Sequence, residues 1–188
     1  MYAEVKKRET LHSGQWLSLE DIRYTNSDGI ERSWESVSRL HAGGAVLIVA
    51  ETIPSEKLIL VRQFRPPADG FVIEFPAGLV DDGEKPSETA VRELQEETGY
   101  TCSVREVMPP AFSSPGLSSE TVRFVFAEVD EYAQVNSTLQ TEFDESEEIE
   151  TLLVARDEIY DFLIEQRNAG DFIDSKLLAY AVGLNCCR

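Results

Sequence analysis

Three glutamates, Glu93, Glu96 and Glu97, stand at i, i+3 and i+4 within GLVDDGEKPSETAVRELQEETGY, residues 78–100. On a helix that spacing projects all three carboxylates from one flank. Like charges this close repel and raise one another's pKa. A divalent cation removes the conflict by supplying positive charge to hard oxygen ligands. Mg²⁺ in particular keeps several waters and joins carboxylates to substrate phosphates. A solvated acidic helix face would carry the same three residues, so the flanks must decide.

They do so through a resemblance. The segment is similar at every defined position to the Nudix hydrolase signature, G-x5-E-x7-R-E-U-x-E-E-x-G-U, where U is bulky and apolar. Gly78, Glu84, Arg92, Glu93, Leu94, Glu96, Glu97, Gly99 and Tyr100 fill it, with Tyr100 where an aliphatic residue is usual. The resemblance implies a loop-helix-loop that holds one or more Mg²⁺ or Mn²⁺ ions against a diphosphate. Glu93 and Glu97 would bind metal directly, Glu96 would share it or stand one step behind, and the Ala77 carbonyl would reach it. Arg92 and Glu84 would brace the loop. The implied reaction is hydrolysis of a nucleoside diphosphate linked to another moiety. Metal neutralises the phosphate oxygens and acidifies a water, and a further carboxylate positions or deprotonates that water.

VRQFRPPADGFVIEFPAGLVDDGE resembles the ADP-sugar pyrophosphatase branch of that family, as does Pro115, sixteen residues after Gly99. GQWLSLEDIRYTNSDGIERSWESVSR resembles the N-terminal domain of such enzymes, in which two tryptophans, one from each subunit of a swapped dimer, sandwich adenine. Trp16 and Trp34, the only tryptophans of the chain, occupy those places. Glu35 and Arg39 match neighbours that contact substrate, and Arg65 would sit over the diphosphate, where a planar cation suits phosphate oxygens. The catalytic glutamate of that branch arrives on a loop before an E-x-[IV]-x strand. Glu147 falls at that place in TEFDESEEIE, with Glu148 and Glu120 as the competing positions.

The elements that must position these residues are legible in outline. WLSLEDIRYTN and IERSWESVSR read as strands joined by the turn residues Asn26–Gly29. Residues 1–40 therefore form a strand-rich piece too small to hold its own core, which needs the rest of the chain or another subunit. In residues 41–188, AVLIVA, KLILVRQF, FVIEF, TVRFVFAEV and IETLLVA read as strands. Pro86 opens a helix with Ala90, Val91 and Leu94 on its apolar face, and Gly99 closes it. RDEIYDFLIEQRN and DSKLLAYAVGLN close the chain as helices, the second capped by Asp174. The expected fold class is α/β, a mixed sheet with helices on both faces. With the family resemblance this becomes the Nudix α/β/α sandwich preceded by a small β domain.

Composition excludes other classes. The 188 residues carry 35 acids against 17 bases, a formal charge of -18, which repels nucleic acid and anionic membranes. The longest charge-free apolar run, Ala45 to Ala50, is far short of a membrane span. Three cysteines form no CxxC pair, and the N-terminus has no apolar stretch, so a reduced, cytoplasmic setting is expected. GLVDDGEK has Walker-type glycines, but Glu84 stands where Lys is required. The expected activity is hydrolysis of ADP-ribose or a related ADP-sugar to AMP and sugar phosphate by a homodimer. The alternatives are a broader nucleoside-diphosphate-sugar hydrolase acting also on GDP-mannose, and a non-catalytic nucleotide-sugar-binding module. The intact glutamates of the box argue against the last.

Overall fold

A computed structural model describes residues 2–40, 43–143 and 148–186. Three antiparallel strands open the chain: β1 (Glu4–Ser13), β2 (Leu17–Thr25) and β3 (Glu31–Arg39). Between β2 and β3 the Asn26 side chain accepts the backbone N–H groups of Asp28 and Ile30, and Gly29 takes φ +78°, so the predicted turn forms. β1 was not anticipated. Its residues are exposed along the whole strand, so it lacks the apolar alternation that betrays a half-buried strand, and pairing with β2 defines it.

The second sheet follows the order β12-β6-β5-β4-β10-β8. It comprises β4 (Ala45–Ile53), β5 (Lys57–Arg65), β6 (Gly70–Glu74), β8 (Ser103–Val107), β10 (Thr121–Asp130) and β12 (Phe172–Ile173). Short β7 (Ala77–Leu79) pairs with β4, β9 (Ala111–Phe112) with β10, and β11 (Ile149–Ala155) with β5. β4 and β10 run parallel while most other pairs are antiparallel, so the sheet is mixed.

Strand alternation splits the core into two layers. Val46, Ile48, Ala50 and Ile59 pack with Ala90 and Leu94 of α1 (Pro86–Thr98). Leu47, Val49, Leu58 and Leu60 pack with Ile159 and Leu163 of α2 (Ile159–Ala169) and Leu177 and Ala181 of α3 (Ser175–Cys186). Helices thus cover both faces, the α/β/α sandwich expected. Val91 departs from expectation. It is half-buried and outside the core cluster, facing a hollow shared with Val104. Asp174 caps α3 as predicted, its Oδ1 accepting the N–H groups of Lys176 and Leu177. Among the described residues, no helix is long and apolar enough to cross a membrane.

The two sheets meet at the loop of residues 113–120. Leu117 O accepts the Val37 N–H at 2.9 Å and the Ser36 hydroxyl at 3.1 Å. The Trp34 indole N–H donates to Gly116 O at 3.1 Å. Arg39 Nε donates to Glu120 Oε1 at 2.6 Å.

Candidate active site

The site grows from the start of α1. Pro86 occupies its first turn, and Glu88 accepts the Lys85 N–H in a capping box. Gly99 ends the helix at φ +76°, and a Cβ there would lie 2.8 Å from Gln140 N and 2.9 Å from Leu139 Cβ. Both conformation and crowding therefore demand glycine. The helix begins and ends at the residues the sequence indicated.

Arg92 ties the box together. Its guanidinium reaches Glu84 at 3.0–3.1 Å, Glu93 and Glu96 at 2.9 Å each, and Leu79 O at 3.4 Å. The Arg92 hydrogen bonds, aided by the Thr89 hydroxyl, hold the Glu84 carboxyl down at about 2. The same carboxylates raise the pKa of Arg92, Glu84 foremost. Glu84 and Arg92 thus brace the loop, the role the signature implied.

The three helical glutamates part company. Glu93 lies against β7 so closely that a Cβ at Gly78 would sit 1.9 Å from its Cδ and Oε1. Glu97 is only 5% exposed, and its Oε2 accepts the Ala77 N–H at 3.2 Å. Glu96 shares Arg92 Nη1 with Glu93 but borders the hollow beside Val91 and Val104. Among the described residues no three metal-ligating side chains close on one point. What does converge on the start of β7 is two carboxylates, Glu97 at the Ala77 N–H and Glu93 at Gly78, where no side chain stands in the way. Such a hard-oxygen set fits a divalent ion that keeps waters of its own.

A cavity of about 580 Å³ opens beside β7, a size suited to a nucleotide-like ligand. Gly78, Asp81, Arg92 and Glu93 line one part of it, and Arg39, Arg65, Glu74 and Glu120 another. Arg65 Nε donates to Glu74 Oε1 at 2.6 Å, and Lys176 pairs with Asp174 at 2.8 Å on the same wall. Glu74, Asp174 and Lys176 were missed as site residues. Nothing local in FVIEF or DSKLL distinguishes them, because only the sheet order brings β6 and the start of α3 to this cavity.

Other expected residues stand apart. Trp16 and Trp34 are 65% and 50% exposed on the N-terminal sheet, off the cavity wall. Glu35 is exposed on β3 and does not line the cavity. Of the three positions competing for the catalytic carboxylate, Glu147 lies outside the described residues. Glu148 is exposed at the foot of β11, and Glu120 is on the cavity wall, bound to Arg39.

Residues 41–177 match the NUDIX domain, and the chain belongs to the Nudix hydrolase family. It is 33% identical over 178 residues to the ADP-ribose pyrophosphatase of Saccharomyces cerevisiae, covering 90% of this chain and 77% of that one. It is 35% identical over 166 residues to the ADP-ribose pyrophosphatase of Bacillus subtilis, covering 87% and 84%. In fold it is similar to a crystal structure of an ADP compounds hydrolase, with a TM-score of 0.69 at 20% identity over 98% of this chain and 93% of that one.

Proposed function

We propose that the chain hydrolyses the diphosphate of ADP-sugars, ADP-ribose foremost, giving AMP and sugar phosphate. The observation that carries this is the cavity whose lining includes the close-packed Gly78 and Glu93 together with two arginines, Arg39 and Arg65. The kinship with two ADP-ribose pyrophosphatases supports the choice of substrate. Nudix hydrolases use a divalent metal. Here Mg²⁺, or Mn²⁺ in its place, would be held by Glu93, Glu97 and the Ala77 carbonyl, with Glu96 behind them. When bound, it neutralises phosphate oxygens and acidifies a water. Arg65 and Arg39 hold the diphosphate and the terminal ribose. A carboxylate of the loop around Glu147, with Glu148 and Glu120 as the competing positions, takes the proton as the water oxygen bonds to phosphorus and the bridging P–O bond breaks.

Residues 1–40 form a recognition domain and residues 41–188 the hydrolase domain. Trp16 and Trp34 stack the base across a homodimer, with Glu35 beside them. Their exposure in one subunit, and that of the whole of β1, supports a partner there. The cysteine pattern supports a cytoplasmic setting.

The test is Mg²⁺-dependent hydrolysis of ADP-ribose, ADP-glucose, GDP-mannose and UDP-glucose, with Glu97→Gln as control and light scattering of the same sample. Preference for ADP-ribose of about tenfold or more, lost in the variant, supports the reading. Equal rates on GDP-mannose would make the enzyme a broader nucleoside-diphosphate-sugar hydrolase. Binding without hydrolysis would leave a non-catalytic module, and a monomer at micromolar concentration would refute the shared base site.

A further inference from the structure

Two arginines of the cavity wall are held in the same way by carboxylates from unrelated parts of the chain. Arg65, at the end of β5, donates from Nε to Glu74 at the end of β6. Arg39, at the end of β3, donates from Nε to Glu120, just before β10. Among the described residues neither guanidinium has another hydrogen bond or ion pair. A guanidinium held at Nε is biased toward one direction, and its two terminal nitrogens remain as a fork for an oxyanion.

Burial separates holder from held. The side chains of Glu74 and Glu120 are 15% and 24% exposed, those of Arg65 and Arg39 41% and 38%. The carboxylates form the base, and the cations reach outward over them into the cavity that both line. Glu120 is itself fixed: its N–H donates to Ser118 Oγ at 2.9 Å and its carbonyl accepts the Ser113 N–H at 3.0 Å. Glu74 is fixed by strand pairing with Val61.

We infer that Glu74 and Glu120 are positioning residues, two independent anchors that aim Arg65 and Arg39 at the substrate. This deepens the proposed function and rests on its assignment of those arginines to the substrate. It removes Glu120 from the competition for the catalytic carboxylate, since that group is committed to Arg39. It also separates alignment from attraction. Each anchored pair is electrically neutral, so the direction of the fork, and not a net positive charge, favours a diphosphate.

The two ideas predict opposite signs. If alignment matters, Glu120→Gln and Glu74→Gln each lower kcat/KM for ADP-ribose by about tenfold to a hundredfold, the range for a charged hydrogen bond. Both also weaken binding of the α,β-methylene analogue of ADP-ribose, with thermal midpoints unchanged. If the carboxylates merely compete for the arginines, the same changes tighten binding of the analogue, and the inference fails. Double-mutant cycles give the specific signature. Glu120→Gln should add no loss in an Arg39→Ala background yet keep its full effect with Arg65→Ala, and Glu74→Gln should do the reverse. Additive losses within either pair would overturn the anchors while leaving the proposed function standing. A wild-type protein that neither hydrolyses nor binds any nucleoside diphosphate sugar would overturn both.

Discussion

In our proposal the helix-borne box and the N-terminal sheet share one task, holding side chains toward a ligand, and they are built by opposite means. In the box, one arginine meets three carboxylates, a buried glutamate accepts a backbone N–H, and two glycines stand where a side chain would collide with its surroundings. Each contact there restrains a residue already restrained by another. The N-terminal sheet has β1 exposed throughout, presents Trp16 and Trp34 to solvent, and is hydrogen-bonded to the hydrolase body where β3 meets the loop of residues 113–120. Chemistry thus sits on the over-determined part, where a displacement of about 1 Å costs rate. In our proposal recognition sits on the part whose geometry a few hydrogen bonds and a second subunit must complete.

The sharpest way to break this contrast is Gly78→Ala. The added methyl would occupy the place of the Glu93 carboxylate, 1.9 Å from its Cδ. Because that carboxylate ends a flexible side chain, it can swing aside. We expect a stability change within about 1 kcal/mol but a fall in kcat of at least about a hundredfold. Enzyme kinetics beside a denaturant titration would read both. Retained activity would mean that Glu93 need not lie against β7.

Arg92→Ala should be the next largest effect, and it falls on stability as well as rate. The loss of charged hydrogen bonds to Glu84, Glu93 and Glu96 should cost about 2–3 kcal/mol. The pH dependence carries the signature. Glu84 titrates near 4.5 when unfolded and at about 2 when folded. Its contribution is therefore complete above 4.5 and is lost as pH falls toward about 2. The wild-type advantage over the variant should be flat at neutral pH and shrink across that acid window, as read by urea unfolding at a series of pH values. A constant difference would assign the stabilisation to packing of the Arg92 stem instead.

What the sequence made legible follows the same division. Pro86, Gly99 and Asp174 mark helix ends by local backbone chemistry, and local rules sufficed for them. The continuous apolar runs of β4 and β5, interleaved with helices in the chain, indicated a sheet covered on both faces, and successive residues of these strands do fill the two core layers. Val91 was misplaced because helical spacing shows which residues share a flank but not how far the sheet extends beneath it. β1 was invisible for want of any buried face, and Glu74 and Lys176 because only the folded chain brings the end of β6 and the start of α3 to one cavity. Within the box, the signature already set Glu96 one step behind Glu93 and Glu97; in the structure Glu96 borders the hollow beside Val91 while sharing Arg92 Nη1 with Glu93.

The smallest expected effect tests the looser half. Trp34 is assigned two roles: its ring faces solvent as a stacking surface, and its N–H donates to Gly116 O at 3.1 Å. Trp34→Ala removes both and should raise KM for ADP-ribose about tenfold, the worth of one stacked base. Trp34→Phe keeps an aromatic face but removes the donor, so the loop at 113–120 loses one of its ties to β3 while Leu117 keeps its own. If stacking dominates, the phenylalanine variant should stay within about threefold of wild type, a loss below about 1 kcal/mol. If it is as impaired as the alanine variant, Trp34 serves chiefly to fasten the sheet to the loop that carries Glu120. Recognition would then depend on how rigidly β3 is held, and the two halves of the molecule would differ less than their exposure suggests.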